Sequence, residues 1–379
     1  MCRWGGWGQS SLHSSTLSIA SSFESKLSVA SAQSAYETTA PLKDSLGLVL
    51  ETQTVRIGVR VPATSGNLGP GFDALGLAYQ LYDDIEVEFA AAEKPVHPNT
   101  EVIVTGEGAG AVPLDDTHLV MRAIRRTIAA TQMPQPNIKL TCHNRVPHGR
   151  GLGSSAAAVV VGITAAQAYL SELADTVVKA ADNNQIAVNR QKTLELATEF
   201  EGHPDNAAPA IYGGATVAWF TDNHQPQAAK LQVSPDIVPT LLMPQTTLPT
   251  KTARAALPQQ VPHHDAAHNA GRSALLVTAM ANQPELLFDA TSDRLHQNYR
   301  AAQMPSSSSL MAGLRELGFA AVVSGAGPTL LVLSDKQQLA ELDKALDRLI
   351  GCANSGENGS WRIIRPGIDA NGAVARRNS

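Results

Sequence analysis

From Thr54 the chain alternates apolar and polar residues as "TVRIGVRVPAT", the period-two pattern of a strand with one buried face. "DDIEVEFA" (83–90) and "TEVIVTGEG" (100–108) predict two more strands. "HLVMRAIRRTIAAT" (118–131) switches to helical spacing with its basic residues late, and "NIKLTCHN" (137–144) predicts another strand. The small and apolar residues of "SSAAAVVVGITAAQAYL" predict a helix packed closely on its neighbours. A helix over about 185–201 and a strand in "GGATVAWF" (213–220) follow. The polar, turn-forming "TDNHQPQAAK" (221–230) then predicts a boundary. Beyond it the order is a strand ("IVPTLLMP"), two helices ("DAAHNAGRSALLVTAMAN", "SLMAGLRELG"), a strand-turn-strand ("AAVVSGAGPTLLVLS"), a helix ("QLAELDKALDRLI") and a last strand ("SWRIIRPG"). That order predicts an antiparallel sheet backed by helices, so the class is α+β, divided as 54–222 and 223–379.

Residues 1–53 show no hydrophobic period and are rich in Ser and Ala, which predicts a disordered extension. Hydroxyls break "SSLHSSTLSIASS" too often for a secretory signal; an organellar transit peptide stays open, as does translation from an upstream start. The 379 residues, 43% hydrophobic, suffice for two cores. A net charge of −5 argues against nucleic acid or an anionic membrane as partner and for a small molecule. Cys2, Cys142 and Cys352 lie far apart, as expected of reduced thiols in a cytoplasmic protein. The longest apolar runs are interrupted, which predicts no membrane span.

The chemistry concentrates in "VPHGRGLGSSAAAVV" (146–160), between a predicted strand and a predicted helix. Gly151, Gly153 and Ala156 satisfy the dinucleotide fingerprint, with Glu172 about twenty residues on, but Glu172 would then fall in a helix instead of ending a strand. A phosphate loop of the G-K-[ST] type is excluded because that tripeptide is missing here. What remains is a helix N-terminus with unpaired backbone N–H groups, approached by glycines that leave room for an anion. An ordinary loop before a serine-capped helix fits the same residues.

Other residues decide. "PHGRGLGSSAA" resembles the P-x-x-x-G-L-G-S-S-A-A nucleotide loop of the GHMP small-molecule kinases, and "VPATSGNLGPGFDALGLA" (61–78) and "SGAGPTLLVL" (324–333) are similar to that family's flanking motifs, in the expected order. The resemblance runs from about Thr54 to the C-terminus. It implies an N-terminal domain like the second domain of ribosomal protein S5 and a ferredoxin-like C-terminal domain. The first block, with "EGHPDNAAPAIYGG" (201–214), "TKTARAALP" (250–258) and "DRLHQNYRAAQMP" (293–305), resembles the homoserine kinase branch more than the sugar or mevalonate branches.

The resemblance implies ATP and Mg²⁺ as cofactors and L-homoserine as substrate. Pro147, His148, Gly149, Arg150, Gly151, Leu152, Gly153, Ser154, Ser155, Ala156 and Ala157 would form the nucleotide loop. Glu195, eight residues before His203, would hold the metal with Ser154 or Ser155. Arg254 and Arg300, assisted by Thr250, would take the substrate carboxylate, and Asp73 and Asn206 its ammonium. Asn67, His203 and Asp205 would serve the hydroxyl, with Asp205's role as a base left open. Each has a plainer reading: turn-forming for Asn67 and Asp73, helix surface for the arginines and Glu195. His264 and His268, four apart, have helical spacing for a zinc site but no third ligand nearby. Two rival functions remain, a mevalonate-type kinase and a GHMP-fold sensor of nucleotide or amino acid; a homodimer is compatible with any of them.

Overall fold

Strand β1 (Val55–Ser65) begins with Ile57, Val59 and Val61 buried in alternation and ends with both faces covered. The structure is a computed structural model that describes residues 54–92, 98–174, 185–353 and 360–378. The extension expected at 1–53 lies outside them. β2 (Leu75–Ala90) runs antiparallel to β1, with a bulge at Pro62/Ala63. Its second half alternates as expected, whereas its first residues, "LGLAY", are covered on both faces and carry no period.

β3 (Thr100–Gly106), α1 (Leu119–Ala129) and β4 (Asn137–Asn144) form a β-α-β unit with parallel strands, and α2 (Ser154–Leu173) leads out of the glycine loop. α2 is long and apolar enough to cross a membrane, yet it is the core helix. A Cβ on Gly162 would lie 2.5 Å from the Val120 carbonyl oxygen, so α2 and α1 nearly touch. β5 (Gln185–Ile186) precedes α3 (Arg190–Glu201). The helix expected from about 185 starts five residues later because Asn189 caps it, accepting from the Lys192 N–H at 2.9 Å.

α4 (Ala207–Tyr212) is followed by β6 (Ala215–Phe220) and β7 (Pro226–Leu231), an antiparallel hairpin. The turn-rich stretch expected to separate the halves at 222/223 is the turn of this hairpin. β7 therefore stays with the first sheet: its strand partner is local, and pairing satisfies its backbone at once.

The second sheet comprises β8 (Ile237–Met243), then β9 (Ala320–Val323), β10 (Leu330–Asp335) and β11 (Arg362–Ile364). Between β8 and β9 come α5 (Thr250–Ala255), α6 (His263–Asn282), α7 (Leu287–Ala290), α8 (Gln297–Arg300) and α9 (Pro305–Glu316); α10 (Leu339–Ala353) joins β10 to β11. The antiparallel order β11-β8-β10-β9 is the ferredoxin-like one expected. β11 is not the last strand, because β12 (Val374–Arg377) returns to pair with β1 and β5 in the first sheet.

Three cores result. Ile57, Val87, Phe89 and Leu140 pack under α1 and α2. Leu77, Tyr79 and Leu152 of the first part meet Leu241, Leu331 and Leu333 of the second sheet, and Leu330 and Val332 face α9 and α10. The middle core places the glycine loop against the second sheet. Cys142 is buried without a disulfide, and burial pushes its thiol up to about 12; Cys2 and the Cys352 side chain lie outside the described residues.

Candidate active site

Three glycines in alternation, Gly149, Gly151 and Gly153, take φ of +64°, +73° and +69° and turn the chain from β4 into α2. Gly153 is the N-cap, and the first helical bond runs from Ala157 N–H to its carbonyl at 2.8 Å. The N–H groups of Ser154, Ser155 and Ala156 precede that bond and lie at the positive end of a 20-residue helix, the arrangement that holds phosphate.

The loop is anchored from behind. Pro147, Leu152, Ala156 and Ala157 are buried, Thr64 N–H donates to Leu152 O, and Ser324 Oγ donates to Gly151 O at 2.6 Å. Arg150, expected at the nucleotide, instead donates to the carbonyls of Pro244 and Gln245 at 3.2 and 3.1 Å and ties the loop to the end of β8.

Beside Ser154 and Ser155 opens a cavity of about 290 Å³, lined by Val112, Pro113, His118, Val120, His148 and Ala158. Its walls are mostly apolar and suit a flat nucleobase. His118 is buried with Nδ1 unpartnered, and burial, with His148 nearby, keeps its ring below the usual range and neutral. Sequence reading missed this cavity. A groove of about 340 Å³ on the outer face of the first sheet contains none of the loop residues.

Glu195 does not reach the loop. Its carboxylate pairs with Lys192 at 3.0 Å on the side of α3. The glutamate at the loop is Glu201, whose Oε1 accepts from Ser155 Oγ at 2.6 Å. Burial pushes the Glu201 carboxyl up, against the opposing pull of Ser155 and His203. The spacing of eight from His203 leads to Glu195, six residues before the glutamate that the fold sets against Ser155.

Across the loop lie the remaining residues. "SGNLGPGFD" folds as a tight turn in which Asn67 and Asp73 have φ of +67° and +54°. Asn67 donates to Gly325 O and accepts from Asp73 N–H, both at 2.9 Å, so it fixes this turn to the "SGAG" loop. Arg254 of α5 grips Asp73 with two bonds, 2.7 and 3.1 Å. Thr250 is exposed at the start of the same helix.

Arg300 is 2% exposed, and its guanidinium donates to Ala253 O, Gly325 O and His296 Nδ1. His296 is buried and neutral, since burial and Arg300 hold its ring below the usual range; its Nε2 donates to Gly69 O at 2.7 Å. Both guanidinium carbons sit 5.6 Å from the centre of the Phe72 ring, which sequence reading also missed.

His203, Asp205 and Asn206 follow α3 and face the same turn. His203 Nδ1 bonds to Asp205 Oδ1, while Asp205 Oδ2 is buried without a partner. A Cβ on Gly66 would lie 2.2 Å from that oxygen, so only glycine lets the turn approach. Thr64 Oγ1 donates to Asn206 Oδ1 at 3.1 Å. Asp73, His203 and Asp205 bring ligand atoms within 4.8 Å of one another. His264 and His268 form no such group among the described residues; His268 bonds to Ser292.

Burial disfavours a charged His203, but the hydrogen bond and charge of Asp205, with Asp73, outweigh it and raise its pKa above the ordinary 6.5. A raised folded-state value stabilises the fold fully below the unfolded pKa and loses that contribution as pH rises through the folded pKa. The Tm difference between wild type and His203→Gln is therefore expected to narrow from pH ~6 to pH ~9. A difference independent of pH would mean that folding leaves the pKa of the ring unchanged.

The family of GHMP kinases N terminal domains matches residues 118–214, and that of GHMP kinases C terminal domains matches 272–349. The homoserine kinase of Clavibacter michiganensis is 47% identical over 323 residues, 85% of this chain and 94% of that relative. The homoserine kinase of Streptomyces coelicolor is 44% identical over 318 residues, 84% and 94% of the two chains. The crystal structure of homoserine kinase from Cytophaga hutchinsonii has the same fold, with a TM-score of 0.68 at 24% identity over 86% of this chain and 99% of that one. A glycine-led helix N-terminus near a cluster of acids and arginines, on this fold and at this identity, leads to one conclusion: the chain belongs to the homoserine kinase family of GHMP kinases.

Proposed function

We propose that the protein transfers the γ-phosphate of ATP to the side-chain hydroxyl of L-homoserine, giving O-phospho-L-homoserine for threonine synthesis. The observation that carries this reading is the approach of the α2 N-terminus to Asn206, whose Oδ1 lies 3.2 Å from the place of a Cβ on Gly153, with Asp205, His203 and Asp73 clustered next to it and Arg254 bound to Asp73. The loop N–H groups hold the triphosphate, and the apolar cavity takes the base. The Ser155 hydroxyl and Glu201 carboxylate, both hard oxygen donors, fit a magnesium ion, with Ser154 beside them. When bound, that ion supplies neutralisation of phosphate charge.

Asp73 and Asn206 receive the substrate ammonium; Arg254 and Arg300, with Thr250 at the rim, receive the carboxylate. Asn67 keeps the turn in register and directs the hydroxyl. Asp205 Oδ2, buried and without a partner, is the acceptor assigned to that hydroxyl, and His203 bonds to the other oxygen. A loose phosphoryl transfer needs this alignment more than early proton removal. The same reading gives the protein a small-molecule partner, which its net charge of −5 suits, and a cytoplasmic location, which the free buried thiol of Cys142 suits.

An assay of ADP release with L-homoserine, mevalonate and galactose tests the reading. Release dependent on L-homoserine alone is expected. Release with mevalonate at an equal rate, or none with any acceptor, overturns it.

A further inference from the structure

Asp73 and Arg254 match opposite ends of one amino acid, yet they are joined to each other by two hydrogen bonds of 2.7 and 3.1 Å. Arg300 lies against the same Phe72 ring as Arg254, and its hydrogen bonds go to two carbonyls and the His296 ring. Around this ring stand two fixed cations and one carboxylate that holds one of them. Asp205 and His203 bring side-chain atoms within 4.8 Å of Asp73.

We propose that the Asp73–Arg254 pair is a selector for zwitterions: it closes on itself and opens only to a ligand carrying both a carboxylate and an ammonium. This deepens the reading above and rests on it. A zwitterion breaks one ion pair and forms two, since its ammonium takes Asp73 and its carboxylate takes Arg254 with Arg300. A hydroxy acid without the amine must pull Arg254 away and leave Asp73 unpaired next to Asp205. An amino alcohol without the carboxylate must take Asp73 and leave Arg254 unpaired beside Arg300 on one ring. Each half-ligand thus loses its missing contact and also forfeits the pair, a modest penalty because its two side chains are 43% and 33% exposed, but one that acts against the wrong partner as well as for the right one.

The distinguishing prediction is a change of sign. In Asp73→Asn, L-homoserine is expected to bind on the order of tenfold more weakly, while 4-hydroxybutyrate binds roughly fivefold to tenfold more tightly because Arg254 is released. In Arg254→Gln, 3-aminopropan-1-ol is expected to gain by a similar factor. Calorimetric titration of the full chain and each variant, with melting curves to verify folding, reads all three ligands.

The double variant separates release of Arg254 from simple loss of a repelling charge. With Arg254→Gln already present, Asp73→Asn should no longer tighten 4-hydroxybutyrate. Persistence of the gain in that background overturns the selector, as does the absence of any gain in Asp73→Asn. If wild type fails to turn over L-homoserine, the functional reading falls and the selector with it. If turnover holds and the sign change fails, only the selector falls.

Discussion

Gly151→Ala is expected to lower kcat/KM for ATP by roughly a thousandfold, more than removal of a single phosphate-binding donor would, and to depress Tm. Gly151 holds φ at +73°, where an L side chain costs about 1–2 kcal/mol. The added Cβ would also stand 2.2 Å from Ser324 O and 2.9 Å from both N and O of Gly327. All three are backbone atoms, so no rotamer change relieves the contact. The nucleotide loop and the "SGAG" loop must move apart instead, breaking the bond from Ser324 Oγ to Gly151 O. Several N–H donors at the start of α2 then leave their positions together. Gly318→Ala provides the comparison, since Gly318 has φ of +88° but nothing within 4 Å of its would-be Cβ. It should lose stability from strain alone and keep its activity. Equal loss of activity in the two variants would show that the apposition of the two loops is unimportant.

That apposition also marks the limit of what the sequence makes legible. The glycine loop is readable because phosphate binding needs contiguous backbone N–H groups, so its residues lie side by side in the chain. The strands readable by alternation are those with one face buried, as in the second half of β2. The first half is covered by the middle core on one side and, at Gly76, by Asp205 and Pro209 on the other, so it shows no period, and β12 is too short, at four residues, to display one. The base cavity is drawn from the 112–120 segment, His148 and α2, and such a composite leaves no local pattern. Phe72 looks like one more residue of a turn until two arginines from distant helices are seen against its ring. Arg150 shows the converse: a motif position whose charge is spent on carbonyls.

Glu201→Gln is expected to reduce kcat on the order of a hundredfold and to raise the magnesium concentration needed for half-maximal rate, while Glu195→Gln leaves both within about twofold. The two glutamates share α3 and lie six residues apart, which at 3.6 residues per turn puts them about 240° apart around the axis. Only one face of the helix can address the loop. Glu201, in the last turn, meets Ser155; Glu195 faces Lys192, 54% exposed, in a pair worth little to stability. Glutamine at 201 preserves the shape and can still accept from Ser155, so folding should be nearly unchanged. What it removes is the negative charge beside Ser155, where the proposed metal and triphosphate would be held. A loss of activity that excess magnesium partly restores in Glu201→Gln, with none in Glu195→Gln, would support Glu201 as the metal-binding carboxylate. The opposite ranking would return that role to Glu195 and require α3 to rotate when nucleotide binds.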